Sequence, residues 1–253
     1  MLDHLTVGSG DEIAIVIHGL LGRAAQLWPL AKRMAKRAPS LSFVIPDLPG
    51  HGRSPPLPPS ATLSDLARAI LALADQIGAE RFSVVGHSLG GRAALALALS
   101  HSDRIDRIAV LDVSASDLTP RPSPISGMMQ ALLRAPERAA DRASMRSALI
   151  EAGAEPKEAD ALLVHVDDGA WTIDRSALAE LRMTTMGTDL WAAVDPRVSL
   201  VYGTESPFVR AEDVERYRSR GAGIVAIPGA GHLLHLESPA AVSDAIVNVL
   251  TSV

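Results

Sequence analysis

The chain contains no cysteine. That excludes a disulfide framework, a thiol nucleophile and thiolate metal ligation. It contains no run of 18 apolar residues, so no membrane-spanning helix is expected. The first ten residues lack a basic region followed by an apolar run, so no secretion signal is expected, and the expected location is cytoplasmic. Neither sign of charge dominates. A net charge of −5 gives no reason to expect nucleic acid or an anionic membrane as partner. What is present is 253 residues of 47% hydrophobic content. That fits one large α/β domain or two small ones, and a chain of this length buries about 70–75% of its unfolded surface without staples.

Short apolar runs at 13–17, 41–45, 82–85, 105–113, 198–202 and 224–227 predict strands. Between them, helical spacing is expected at about 24–38, 63–77, 89–101, 211–220 and 239–250, with Thr62 or Ser64 capping the second of these. Near-continuous apolar strands alternating with helices predict an α/β fold: a mostly parallel sheet with helices on both faces. The rhythm stops after Asp112. Residues 119–124 (Thr-Pro-Arg-Pro-Ser-Pro) read as a linker, and about 126–192 as helices without a confident strand. The predicted organisation is a core of residues 1–115 and 193–253, with residues 116–192 inserted as a helical cap. Five of the seven methionines fall in the insertion (Met128, Met129, Met145, Met183, Met186), together with Trp171 and Trp191. They either line a pocket for an apolar acyl or aromatic group or only pack the cap onto the core.

The chemistry concentrates at Gly86-His87-Ser88-Leu89-Gly90-Gly91. A strand precedes this stretch and a helix follows it, which turns G-x-S-x-G into a nucleophile elbow. The glycines clear space for a tight turn, and Ser88 stands where helix N-terminal N–H groups receive an oxyanion. A serine hydroxyl needs a base. His232, in Pro228-Gly-Ala-Gly-His232, is the candidate, with His235 next but more plausibly packed or solvent-facing. His18-Gly19-Leu20-Leu21-Gly22 follows the first strong strand and supplies the second oxyanion donor: the N–H groups of Leu20 and Leu89 are assigned as the pair. His18 itself is expected to brace its loop. Asp47-Leu-Pro-Gly-His51-Gly-Arg-Ser54 reads as a structural turn in which Asp47 caps nearby N–H groups.

Together, H-G-x-x-G, D-x-P-G-H-G-x-S, G-H-S-x-G-G and G-A-G-H-x-x-x-x-E-x-P resemble the α/β-hydrolase superfamily across about residues 13–250. Many members carry the triad acid as G-x-x-D. Here that place reads Gly203-Thr204-Glu205-Ser206-Pro207-Phe208, with Ser206 where aspartate is expected. Either Glu205 substitutes or the acid is Asp112, at the end of the strand after the elbow helix; Asp117 is a more distant third. A carboxylate closing an apolar strand is costly unless paired, which favours Asp112. Asp112 together with the Ser-Pro-Phe-Val stretch resembles the YbfF-type esterase branch, relatives of mitochondrial abhydrolase-domain proteins. The resemblance implies a serine hydrolase of carboxylic esters or thioesters, with Ser88, His232 and Asp112 as triad, a small-molecule acyl substrate, and no cofactor or metal. Two alternatives stay open: C–C hydrolysis or a menaquinone-pathway-type elimination on the same triad, and a non-catalytic ligand-binding protein.

Overall fold

A computed structural model describes residues 1–119 and 126–252. From residue 120 onward, the predicted proline-rich linker lies outside the described residues. The strands are β1 (His4–Val7), β2 (Glu12–Ile17), β3 (Leu41–Pro46), β4 (Phe82–His87), β5 (Ile105–Leu111), β6 (Val166–Asp167), β7 (Ala170–Trp171), β8 (Val198–Gly203) and β9 (Gly223–Ile227). The α-helices are α1 (Ala24–Arg37), α2 (Leu63–Gln76), α3 (Leu89–Ser100), α4 (Ser126–Arg134), α5 (Arg142–Glu151), α6 (Pro156–Leu162), α7 (Arg175–Met186), α8 (Ala211–Ser219), α9 (Leu234–Glu237) and α10 (Pro239–Thr251). None of the described helices is long and apolar enough to cross a membrane.

Seven strands form one sheet in the order β1-β3-β2-β4-β5-β8-β9. All neighbours pair in parallel except β1, which runs antiparallel to β3. Strand side chains alternate between faces. Ile15, Ile17, Val84 and Val110 pack into a core with α2 and α3, while Ala14, Val16, Val85 and Leu111 pack into a second core with α1 and α10. Strands β3 and β4 are buried along their whole length because both faces are covered. α2 starts at Thr62, whose N–H donates to Asp65 Oδ2 at 2.8 Å and whose hydroxyl donates to the same oxygen at 2.6 Å. Asp65, three residues into the helix, thus satisfies the N–H of the capping residue Thr62.

Between β5 and β8 the chain carries α4 to α7 and a small hairpin, β6–β7, which apolar periodicity did not predict. Buried Arg92 of α3 ties this segment to the sheet side. Its guanidinium donates to the carbonyls of Ser114 (2.9 Å) and Ser116 (2.8 Å) and to those of Thr185 (3.0 Å) and Thr188 (2.5 Å). Met129 and Met145 are buried inside the segment, Met183 is exposed, and Met128 alone of the five lines the cavity beside Ser88. Trp191 packs edge-on against Tyr217, with ring centroids 4.9 Å apart, and Trp171 lies under Arg175. Two of the five methionines therefore pack inside the segment, and one faces the cavity.

Candidate active site

The elbow is built by mutual contact of glycines. A Cβ on Gly86 would lie 2.3 Å from the carbonyl oxygen of Gly90, and one on Gly90 would lie 2.6 Å from that of Ile17 and 2.7 Å from that of His18. Ser88, at the junction of β4 and α3, takes φ 52° and ψ −115°. Positive φ is costly for a residue with a Cβ and persists only where the surroundings enforce it. Here they do: Ser88 N–H donates to Leu111 O at 2.9 Å, and Ser88 O accepts from the N–H groups of Gly91 and Arg92. Gly90→Ala tests this packing. In an open helix, alanine would add up to about 1 kcal/mol of stability. Here the clash falls on backbone atoms that cannot swing aside, so overpacking should reverse the sign and destabilise by about 1–3 kcal/mol. A higher urea midpoint for the variant would contradict the account.

Asp112 follows β5 with φ 55° and is completely buried. Its carboxylate is fully engaged. Oδ1 accepts from Gly203 N at 3.0 Å, and Oδ2 accepts from His232 Nδ1 at 2.7 Å and from the Ser206 hydroxyl. Ser206 thus fills the place where many relatives carry an acid, and supports Asp112 from there. Its Oγ also accepts from Phe208 N at 3.2 Å. Glu205 is exposed. Its N–H bonds the Ala230 carbonyl at 2.9 Å, and no hydrogen bond joins its carboxylate to His232 among the described residues. Asp117 accepts from the N–H and hydroxyl of Thr119, and no hydrogen bond joins it to His232 among the described residues.

The acceptor at Nδ1 fixes the His232 tautomer, leaving Nε2 as the basic nitrogen. The ring is held on its faces as well. Phe208 stacks on it at 3.7 Å with a 19° tilt, and His87 lies 4.7 Å away. His87 Nε2–H donates to the His232 carbonyl at 2.8 Å, and Glu237 accepts from Gly231 N, so the backbone at and just before His232 is tied down. Sequence reasoning missed the roles of Phe208, Ser206 and His87. The only signal was the Ser-Pro-Phe-Val stretch replacing an expected aspartate. His235 is buried, its ring edge-on to His87 at 4.7 Å. Burial pushes its pKa down to about 4, and the neighbouring His232 adds to the effect.

Across the cavity, His18 Nδ1–H donates to Gly19 O at 2.7 Å, and Nε2 accepts from Leu48 N at 3.0 Å. Both ring nitrogens brace loops, and burial lowers the His18 pKa. Asp47 Oδ1 accepts the N–H of Ala24 at 2.7 Å, at the start of α1. The Gly19–Gly22 turn abuts Ser88, since a Cβ on Gly19 would lie 3.2 Å from Ser88 Cβ. The N–H groups of Leu20 and Leu89 take no partner among the turn, loop and cap hydrogen bonds of the described residues. Ser88, His232, Leu20, Phe208 and Met128 all line one cavity of about 320 Å³.

Comparison with known proteins agrees with this architecture. The chain is 28% identical to Esterase YbfF of Escherichia coli (strain K12) over 239 residues, covering 92% of this chain and 90% of that one. It is 29% identical to the sn-1-specific diacylglycerol lipase ABHD11 of Mus musculus over 261 residues, covering 98% of this chain and 84% of that one. A solved structure described as a marine microorganism esterase superposes with a TM-score of 0.85 at 22% identity, covering 98% of this chain and 99% of that one. The sheet order, the strand–turn–helix at Ser88 and the match of residues 14–245 to the model of the alpha/beta hydrolase family lead to one assignment. This chain belongs to the alpha/beta hydrolase family.

Proposed function

We propose that this protein is a serine hydrolase of carboxylic esters or thioesters. The observation that carries the proposal is the buried Asp112 carboxylate 2.7 Å from His232 Nδ1, on a loop lining the same cavity as Ser88. In this reading, His232 Nε2 takes the Ser88 proton as Oγ attacks the substrate carbonyl. The N–H groups of Leu20 and Leu89 receive the oxyanion, each donor supplying about 2.7–4 kcal/mol of transition-state stabilisation. The imidazolium returns its proton to the departing alcohol or thiol, leaving an acyl group on Ser88. Water, deprotonated by His232, then releases the acid. Asp112 holds the tautomer and balances the imidazolium charge.

The cavity walls are mainly apolar (Leu20, Leu21, Leu27, Met128, Leu162 and Phe208), with Gln26, Lys157 and Glu158 also lining them. At about 320 Å³, the cavity lies at the lower end of ligand pockets, roughly 300–1,000 Å³. This favours a compact apolar acyl group. Residues 116–192 act as the lid in this reading, because α4 and α6 supply Met128, Ala161 and Leu162 to the cavity.

The test is covalent labelling with a fluorophosphonate. A single adduct mapping to the Ser88 peptide, absent in Ser88→Ala, is the expected result. An adduct that survives Ser88→Ala would end the proposal.

A further inference from the structure

We infer that His165, contributed by the segment between β5 and β8, is a positioning residue for the oxyanion loop: it pins the Leu21 carbonyl and so holds the Leu20 N–H on Ser88. The inference rests on the hydrolase reading above and adds to it a link between the lid and the catalytic centre.

The oxyanion loop, like Ser88 and Asp112, holds a residue with a side chain at positive φ. Gly22 N–H and His18 Nδ1–H both donate to the Gly19 carbonyl, at 3.0 and 2.7 Å, so the start of the turn is fixed from within the core. Leu21 takes φ 59°, a left-handed conformation that a residue with a branched side chain holds only under outside constraint. That constraint comes from the inserted segment. His165 Nε2 lies 2.9 Å from the Leu21 carbonyl, and Arg23 Nη1 donates in return to the Val164 carbonyl at 3.1 Å. Two hydrogen bonds of opposite sense therefore clamp residues 21–23 to the 3₁₀ turn Leu163–His165.

The chemistry of the imidazole argues for a directed bond and against mere filling. His165 is fully buried, and burial pushes its pKa down to about 4, so the ring is neutral and carries one proton. A carbonyl only accepts, so that proton sits on Nε2. Nδ1 is then a buried lone pair with no partner among the described residues. A leucine or phenylalanine would fill the space with no ring nitrogen to orphan, but it would leave the buried Leu21 carbonyl without its donor. What the imidazole adds is the N–H aimed at Leu21. The His51 ring, 6.2 Å away, and the His18 ring, 4.8 Å beyond it, fill the rest of the contact without reaching that carbonyl.

The test compares His165→Leu and His165→Gln with the parent enzyme. Leucine removes the donor, and the glutamine amide reaches as far as Nε2 and restores it. Steady-state kinetics on p-nitrophenyl butyrate should show kcat reduced ~10–100-fold in His165→Leu with KM within about twofold, the pattern of an interaction made only in the transition state. Affinity for an alkyl trifluoromethyl ketone, whose serine adduct bears an oxyanion, should fall by the same factor. Glutamine should recover most of both. If the leucine variant does not fold, His165→Asn, whose amide is too short to reach, replaces it and should fall about tenfold below His165→Gln. Equal kcat and ketone affinity across the variants would overturn the inference, as would a loss confined to KM. A parent enzyme that neither turns over the ester nor forms the ketone adduct would remove the hydrolase reading itself, a result distinct from a failure at residue 165.

Discussion

Replacing Asp112 with asparagine should lower kcat by roughly 10⁴-fold, while Glu205→Gln should leave it within about twofold, as expected of an exposed side chain with no partner in the site. The reason is the proton inventory around one carboxylate. Three donors converge on Asp112: Gly203 N–H, the Ser206 hydroxyl and His232 Nδ1–H. A carboxylate accepts all three. An asparagine amide has one oxygen to accept with, and its NH₂ would face a donor. The backbone N–H of Gly203 cannot change sense, but the imidazole can. His232 would shift its proton to Nε2 and offer a lone pair to the amide, and the nitrogen meant to deprotonate Ser88 would then carry a proton. The fold should tolerate the exchange in shape, so melting temperature serves as the control. A kcat within tenfold of the parent for Asp112→Asn, or a collapse in Glu205→Gln, would take the triad acid away from Asp112.

How far the sequence exposed these features depended on how local each one is. β2 to β5 and β8 are apolar-rich runs, largely buried, and their composition alone marks them; β9, an edge strand of mixed exposure, is still marked by its Ile-Val-Ala-Ile run. β1 escaped notice because it is an edge strand of mixed exposure, paired only with β3, and its His-Leu-Thr-Val carries no strong pattern. The β6–β7 hairpin has two-residue strands, too short for any periodicity. The elbow was legible because its glycines report a backbone contact that no other residue permits. Asp112 was legible as a charge that an apolar strand end cannot leave unpaired. By contrast, Phe208 stacking on His232, Ser206 bonding across 94 positions to Asp112, and His165 bonding across 144 positions to Leu21 are tertiary facts. Each of these side chains would look ordinary in a loop. Only the departure at Ser206 from the expected aspartate hinted that this corner of the site is built differently.

Stability should fall steeply between pH 7 and pH 5, well above the range where carboxylates titrate. Five histidines are buried: His18, His51, His87, His165 and His235. Burial is the first cause of a lowered pKa in every one, and for His165 and His235 the folded value is about 4 against 6.5 for the free side chain. The sign follows from proton counting. Below pH 6.5 the unfolded chain binds protons that the folded chain refuses, so acid favours unfolding; the stability present above pH 6.5 is lost progressively as pH falls toward the folded values. For a group moved from 6.5 to about 4, the loss by pH 5 is ~2 kcal/mol, so His165 and His235 together remove roughly 4 kcal/mol, and His18, His51 and His87 add to the loss. In a chain of this size, that corresponds to a melting temperature lower by about 8–16 °C. Carboxylates with lowered pKa, such as Asp65 and Asp195, contribute only below their ordinary value of 3.8 and cannot produce this step. His235→Gln removes one of the titrating groups and should flatten the pH 7 to pH 5 difference by about 2 kcal/mol. Equal melting temperatures at the two pH values, or a glutamine variant as acid-sensitive as the parent, would show that these rings accept protons without cost. The burial that leaves Nδ1 of His165 and Nδ1 of His235 without a partner among the described residues would then be far looser than the structure requires.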